Sequence, residues 1–252
     1  MVESMKVVAL HNLKGGVGKT SAAVNLAREA NRDRVPVLLW DLDAQGASTW
    51  VLGGESGLSK KVSKLLAGKS PLGEQVQHTP WERFDLLPAD IRLRELDRLL
   101  DASADGDKHL KRLIEPFGEE YGLMILDCPP GLSTLAEQLI RAADRILVPT
   151  IPSPLSVQAF SRMLDHLDLK KRQRERLSPF FNLVDRRRTL HRDWLDSPPA
   201  ALGRPMRSWI PYASDVERMS LECQPLADLA PRSRATLAYR QLWRELKADL
   251  DA

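Results

Sequence analysis

Short apolar runs punctuate the chain at residues 7–10, 35–40, 84–87, 123–126, 146–149, 179–184 and 206–210. Each has the length of a strand, and most are apolar throughout rather than alternating, as strands buried on both faces are. Between most of them apolar residues recur at helical spacing, over residues 22–30, 132–143, 155–169 and 237–250. Strands alternating with helices predict an α/β fold: a mostly parallel twisted sheet flanked by helices on both faces. Residues 53–57 and 102–107 read as surface loops. Neither an internal repeat nor a convincing linker divides the chain, so residues 1–252 are expected to form one domain.

The first run leads directly into Asn12-Leu13-Lys14-Gly15-Gly16-Val17-Gly18-Lys19-Thr20, and helical spacing follows. Strand, glycine-rich loop and helix in that order are the context of a phosphate-binding loop, a P-loop. Gly15, Gly16 and Gly18 let backbone N–H groups approach phosphate oxygens without an intervening Cβ. The helix start then aims free N–H groups and its positive dipole end at the same place. Lys19 can reach the β- and γ-phosphates, and the Thr20 hydroxyl can coordinate Mg²⁺. Counting back from Gly18-Lys19-Thr20, the common pattern places its first glycine at position 13, where this chain has Leu13, and Lys14 is an additional lysine.

Two further runs end in acids. Residues 37–40 deliver Asp41 and Asp43, followed by the small-residue stretch Ala44-Gln45-Gly46-Ala47-Ser48-Thr49. Residues 123–126 deliver Asp127, followed by Cys128-Pro129-Pro130-Gly131 and a helix expected to open near Ser133. Ligands in open α/β sheets sit at that end of the strands. Carboxylates beside a nucleotide can orient a water and hold hydrated Mg²⁺, as the acid of a Walker B strand does. Cys128 reads as a small buried apolar side chain.

The loop with its extra Lys14 resembles the deviant P-loop of the ParA/MinD family of ATPases, closest to the ParA/Soj-type partition ATPases. Residues 41–49 are similar to that family's switch I, with Ala44 and Ala47 replacing a proline and an asparagine. Residues 127–131 are similar to its switch II. The resemblance implies a P-loop NTPase that binds ATP and Mg²⁺ through Gly15, Gly16, Val17, Gly18, Lys19, Thr20 and Ser21. It implies metal-side roles for Thr20, Asp41 and Asp127, and a water-positioning role for Asp43. Lys14 would reach the nucleotide of a second subunit, so ATP would bring about a homodimer, with Lys14 and Lys19 stabilising the transferred phosphoryl group. The resemblance places adenine recognition at the ends of the sixth and seventh runs, at Asn182 and Pro211. It also implies slow, partner-stimulated hydrolysis, with a ParB-like or other adaptor as the activator.

Composition narrows the classes. The chain has 43% hydrophobic and 28% charged residues, which is globular composition. No uninterrupted apolar stretch approaches a membrane span, and the N-terminus lacks a secretory pattern, so a cytoplasmic location is expected. Two cysteines without CxxC spacing argue against a disulfide framework and against a metallocluster carrier. The net charge of +3 is uneven: residues 170–192 carry nine Lys/Arg against Glu175 and Asp185, a net +7 that leaves the remainder at −4. That asymmetry points to a local anionic partner. ParA relatives bind DNA without sequence preference, so Lys170, Lys171, Arg172, Arg174, Arg186, Arg187, Arg188 and Arg218 are the candidate DNA contacts, and a nucleoid-associated protein that segregates or positions DNA or another large cargo is expected. The last helix, with Leu237, Leu242, Trp243, Leu246 and Leu250, could serve a MinD-like regulator as a membrane anchor. Its Glu245, Asp249 and Asp251 favour packing on the sheet instead, so membrane association is not expected.

Overall fold

The computed structural model describes residues 4–61, 64–65, 70–95, 109–131, 134–167 and 171–251. The loop expected at 102–107, the helix opening near Ser133, the last residues of the 155–169 helix and Lys170 lie outside them. Seven strands form one sheet: β1 (Lys6–Leu10), β2 (Val37–Asp41), β3 (Gln77–His78), β4 (Phe84–Leu87), β5 (Leu123–Asp127), β6 (Arg145–Thr150) and β7 (Leu177–Phe181). Their order is β3-β4-β2-β5-β1-β6-β7. Every pairing is parallel except that of β3 with β4. The order reverses about β1, which places a crevice outside the C-terminal ends of the central strands.

The continuous apolar runs are explained by two cores. Val8, Leu10, Val37, Leu39, Leu123 and Ile125 face one side, and Val7, Ala9, Leu38, Met124 and Leu126 face the other. The first side is covered by α1 (Lys19–Arg32) and the C-terminal helix, and the second by helices contributing Leu110, Leu135, Leu139, Phe160 and Met163. The remaining helices used below are α2 (Ala47–Val51), α3 (Thr189–Asp196), α4 (Ser214–Glu222) and α5 (Arg234–Leu250). No helix among the described residues is long and apolar enough to cross a membrane.

Two expectations change. The run at 206–210 is not a strand. Met206 and Ile210 donate their amides to the Pro179 and Phe181 carbonyls of β7, and Tyr212 to the Val184 carbonyl beyond its end. Between them, however, the amides of Arg207 and Ser208 turn away and donate to the two carboxylate oxygens of Glu245, at 2.7 and 2.8 Å. With those donors captured, only an isolated bridge between Val184 and Pro211 remains. The last helix does pack on the sheet, but it begins earlier and on a shifted face. Ser233 Oγ accepts the Thr236 amide at 3.1 Å as its N-cap. Its buried stripe is Ala235, Thr236, Tyr239, Leu242, Trp243 and Leu246, whereas Leu237 is 51% exposed. Buried Glu29 of α1 receives Arg240 at 3.1 Å, and Trp243 Nε1 donates to Asp33 at 2.8 Å, which fixes α5 against α1. Leu242 is completely buried in that seam. Leu242→Ala should therefore cost about 2–5 kcal/mol of unfolding free energy in urea titration.

Candidate functional site

The loop after β1 is built by side chains that hold backbone. The amide of His11 donates to Leu147 O of β6 at 3.1 Å. Buried Asn12 donates Nδ2 to Pro149 O at 2.8 Å, and its Oδ1 accepts the Lys14 amide at 2.9 Å. One side chain thus roots the loop between two strands. Gly18 closes the loop in the left-handed region, φ 87°. A Cβ there would lie 2.2 Å from Asn182 Nδ2, which itself donates to Val17 O at 2.7 Å. Glycine is required at position 18 because Asn182, just past the end of β7, occupies the space.

Gly18 is the N-cap of α1 and offers no side-chain acceptor, so the first-turn amides are left to an anion. Lys19 is 7% exposed, and its Nζ donates to Lys14 O at 3.3 Å. Burial lowers its pKa, while Asp127, Cys128 and Asp43 pull the other way. Lys14 is half-buried, and its ammonium makes no hydrogen bond or ion pair among the described residues.

The two acids at the strand ends are partners in register. β2 and β5 run parallel with Asp41 opposite Asp127, both buried. Burial and then the Asp127 charge push Asp41 up to about 7. Burial pushes Asp127 up to about 6, against the Ser48 and Thr20 hydroxyls and the Lys19 charge. Consecutive residues of α2 supply the opposing hydrogen bonds. Ser48 Oγ donates to Asp127 Oδ2 at 2.7 Å, and the Thr49 amide and Oγ1 both donate to Asp41 Oδ2 at 2.8 Å. Asp127 Oδ1 is buried with no hydrogen-bond partner among the described residues. Asp43 lies further out, half-buried, where its Oδ1 accepts the Gln45 amide at 3.0 Å in a turn closed by Gly46.

Lys14, Gly15, Gly16, Val17, Gly18, Lys19, Thr20, Ser21, Asp41, Asp43, Asp127 and Asn182 thus converge at the C-terminal ends of β1, β2, β5 and β7. Pro211 stands at the same edge, bridged to Val184. The expected basic residues do not form one surface. Lys171, Arg172 and Arg174 precede β7, and Arg186, Arg187 and Arg188 follow it, so a five-residue strand separates them. That strand spans about 16 Å, and only the second group shares the edge that carries the P-loop. Arg187 is tied to Asp185 at 2.9 Å, and Arg218 stands 3.6 Å from Asp215.

Residues without an expected role prove structural to the site. Asn12, Ser48 and Thr49 lie inside the motif stretches; the partners of Asn12 and Ser48 come from β6 and β5, and that of Thr49 from the end of β2. His11 is buried beside the loop, and burial, then Lys19, lowers its pKa to about 4. Its ring is therefore neutral at physiological pH. Cys128 is buried, which pushes its thiol pKa up, as suits an apolar filler.

A glycine loop between a central strand and an uncapped helix, facing paired acids on the adjacent strands, defines a P-loop nucleotide-binding protein. A family model described as an AAA domain matches residues 5–178. The sporulation initiation inhibitor protein Soj of Bacillus subtilis is 32% identical over 165 residues, 65% of this chain and 65% of the relative. The chromosome-partitioning ATPase Soj of Treponema pallidum is 26% identical over 251 residues, covering 96% of this chain and 97% of the relative. Among solved structures, cobyrinic acid a,c-diamide synthase from Mycobacterium smegmatis with bound ATP analog and magnesium superimposes with a TM-score of 0.80. It is 26% identical, covering 98% of this chain and 96% of that one. The chain belongs to the ParA/MinD family of P-loop ATPases.

The raised carboxyl groups have a thermodynamic consequence. With folded pKa values of about 7 and about 6 against 3.8 unfolded, the native chain holds more protons than the unfolded one across that interval. Stability from the pair is full below the unfolded value and is lost as pH rises through the folded values. His11 titrates in the opposite sense, but it is common to the wild type and an acid-site variant. Asp41→Asn removes a titrating acid, so its unfolding free energy relative to wild type should rise from about pH 5 to about pH 8. Urea unfolding of nucleotide-free protein measures this, and a pH-independent difference would contradict it.

Proposed function

We propose that the chain is a Mg²⁺-dependent ATPase acting as a nucleotide switch that segregates or positions DNA or another large cargo. ATP-bound subunits pair, the pair holds DNA without sequence preference, and an adaptor protein stimulates slow hydrolysis that separates them. The observation that carries this reading is Lys14: its carbonyl supports Lys19, while its ammonium makes no bond within its own chain among the described residues. A lysine so placed gains a phosphate partner across a subunit interface, which ties pairing to nucleotide state. The ATP analog and magnesium of the M. smegmatis structure support the same ligands here, and the partitioning ATPase of T. pallidum supports the cargo class.

The residues fit the roles. The N–H groups of residues 15–21 cradle phosphates, and Asn182 with Pro211 flanks the base. The partnerless oxygen of Asp127, the Thr20 hydroxyl and Asp41 suit a hydrated Mg²⁺, whose contribution is to neutralise phosphate charge. Lys14 and Lys19 stabilise charge on the transferred group, and Asp43, outermost of the acids, orients the attacking water.

The DNA surface is assigned to the nucleotide edge and not to residues 170–174. There a groove of about 1110 Å³ is lined by Arg186, Arg207 and Arg234, with Tyr212 59% exposed. Arg186 and Arg207 also line an adjoining cavity of about 330 Å³ together with Arg192. Arg187 and Arg218 contribute less, being held by their own acids. A cytoplasmic, nucleoid-associated protein follows. The apolar face of α5 is buried on α1, which removes the surface that a membrane-bound positioning role would use.

Two outcomes test this. Lys14→Ala should abolish ATP-dependent dimers in light scattering; dimers that form as in the wild type would refute the switch. Arg186→Glu with Arg207→Glu should weaken ATP-dependent binding to duplex DNA at least about tenfold and flatten its salt dependence by on the order of two phosphate contacts. Lys171→Glu with Arg174→Glu should leave that binding unchanged in a gel shift, and equal losses in the two pairs would refute the assignment.

A further inference from the structure

The hydrogen bond from Ser48 to Asp127 does more than satisfy a buried acid. Asp127 has two carboxylate oxygens. One, Oδ2, accepts Ser48 Oγ at 2.7 Å, and the other, Oδ1, is buried with no partner among the described residues. Ser48 itself is completely buried and lies on α2, five residues after Asp43 in the same segment. It therefore holds one oxygen of Asp127 in place in a carboxylate that Lys19 and the Thr20 hydroxyl also act on. It also joins that oxygen to the placement of the segment carrying Asp43.

The other end of α2 is fastened as well. Trp50 Nε1 donates to Ser220 O of α4 at 2.8 Å, although the indole is 62% exposed. Next to Ser48, Thr49 Oγ1 donates to Asp41 and accepts the Ala89 amide at 2.9 Å beyond β4. This five-residue helix is thus held at both acids and at α4. A helix so short has no stability of its own, so its position follows those contacts.

We infer that Ser48 is a positioning residue: it orients Asp127 towards the hydrated magnesium of the bound nucleotide and couples that metal's occupancy to α2. The inference rests on the magnesium reading of Asp127 above. Loss of a hydrogen bond that orients a metal-side carboxylate typically weakens metal affinity by about 10–100-fold. Phosphate and base contacts, made by the loop and the far strand ends, do not pass through Ser48.

The test uses the full chain and a fluorescent ADP analogue. Nucleotide affinity is measured first without Mg²⁺ and then as Mg²⁺ is titrated. Ser48→Ala should raise the Mg²⁺ concentration at half-effect at least about tenfold, while Mg²⁺-free affinity stays within about twofold of wild type. Ser48→Thr, which keeps the hydroxyl, should stay within about threefold of wild type at both points. Hydrogen exchange of the amides of 47–51 should slow on Mg²⁺ addition in wild type and much less in Ser48→Ala. An unchanged Mg²⁺ midpoint in Ser48→Ala overturns the inference. So does a loss of Mg²⁺-free affinity as large as the Mg²⁺ effect, which is the mark of a general structural role, or a Ser48→Thr protein as impaired as Ser48→Ala. A wild type whose nucleotide affinity ignores Mg²⁺ altogether would overturn the magnesium reading itself.

Discussion

The site depends on two buried carboxylates forced into adjacency by strand register. Asp41 and Asp127 close neighbouring parallel strands at the same level, in a fold that gives neither access to bulk water. Two charges about 5 Å apart repel by roughly 3 kcal/mol at an effective dielectric of 20, before any desolvation is counted. An apolar pair at these positions would be the better choice for stability alone. The chain instead surrounds them with donors: Ser48, Thr49, the Asp43 amide and, close to Asp127, Lys19. Those donors come from the P-loop, from the turn after β2 and from α2, so the conformations of all three are tied to the charge on the pair. A cation beside Asp127 would relieve that repulsion directly.

Much of this arrangement was legible in the sequence because its largest signals are local. A doubly buried strand must be apolar along its whole length, and an acid at its end stands out against that background. The runs leading to Leu10, Asp41 and Asp127 therefore mark β1, β2 and β5 with the P-loop after the first, and those at 84–87, 146–149 and 179–184 fall on β4, β6 and β7. What escaped depended on partners far along the chain. β3 consists of two polar residues whose pairing with β4 leaves no periodic trace. The run at 206–210 has strand composition, but its amides are taken by Glu245, 37 residues or more away. Ser48 reads as a small loop residue, and only the parallel packing of β2 on β5 brings Asp127 to it. The two halves of the basic segment are neighbours in sequence, while β7 carries the chain from the N-terminal to the C-terminal end of the strands between them.

The link between the nucleotide edge and the arginine groove is short and covalent. Asn182 clamps the P-loop at Val17, and the chain then passes through Leu183 in the left-handed region, φ 55°, into Asp185, Arg186 and Arg187. Holding a leucine there costs about 1–2 kcal/mol, so the turn persists only because both of its flanks are fixed. One flank is Asn182 itself. On the other, buried His191 accepts the Asp185 amide at 3.0 Å, and Arg192 of α3 donates to the carbonyls of Arg186 and Arg187 at 2.9 and 3.3 Å. The arginine loop is consequently a rigid extension of the residue that contacts the P-loop. Any displacement of Val17 that shifts Asn182 must either break a buried hydrogen bond or move the arginines with it. Breaking that bond would leave both a buried amide and a buried carbonyl unpaired, at about 1–3 kcal/mol each.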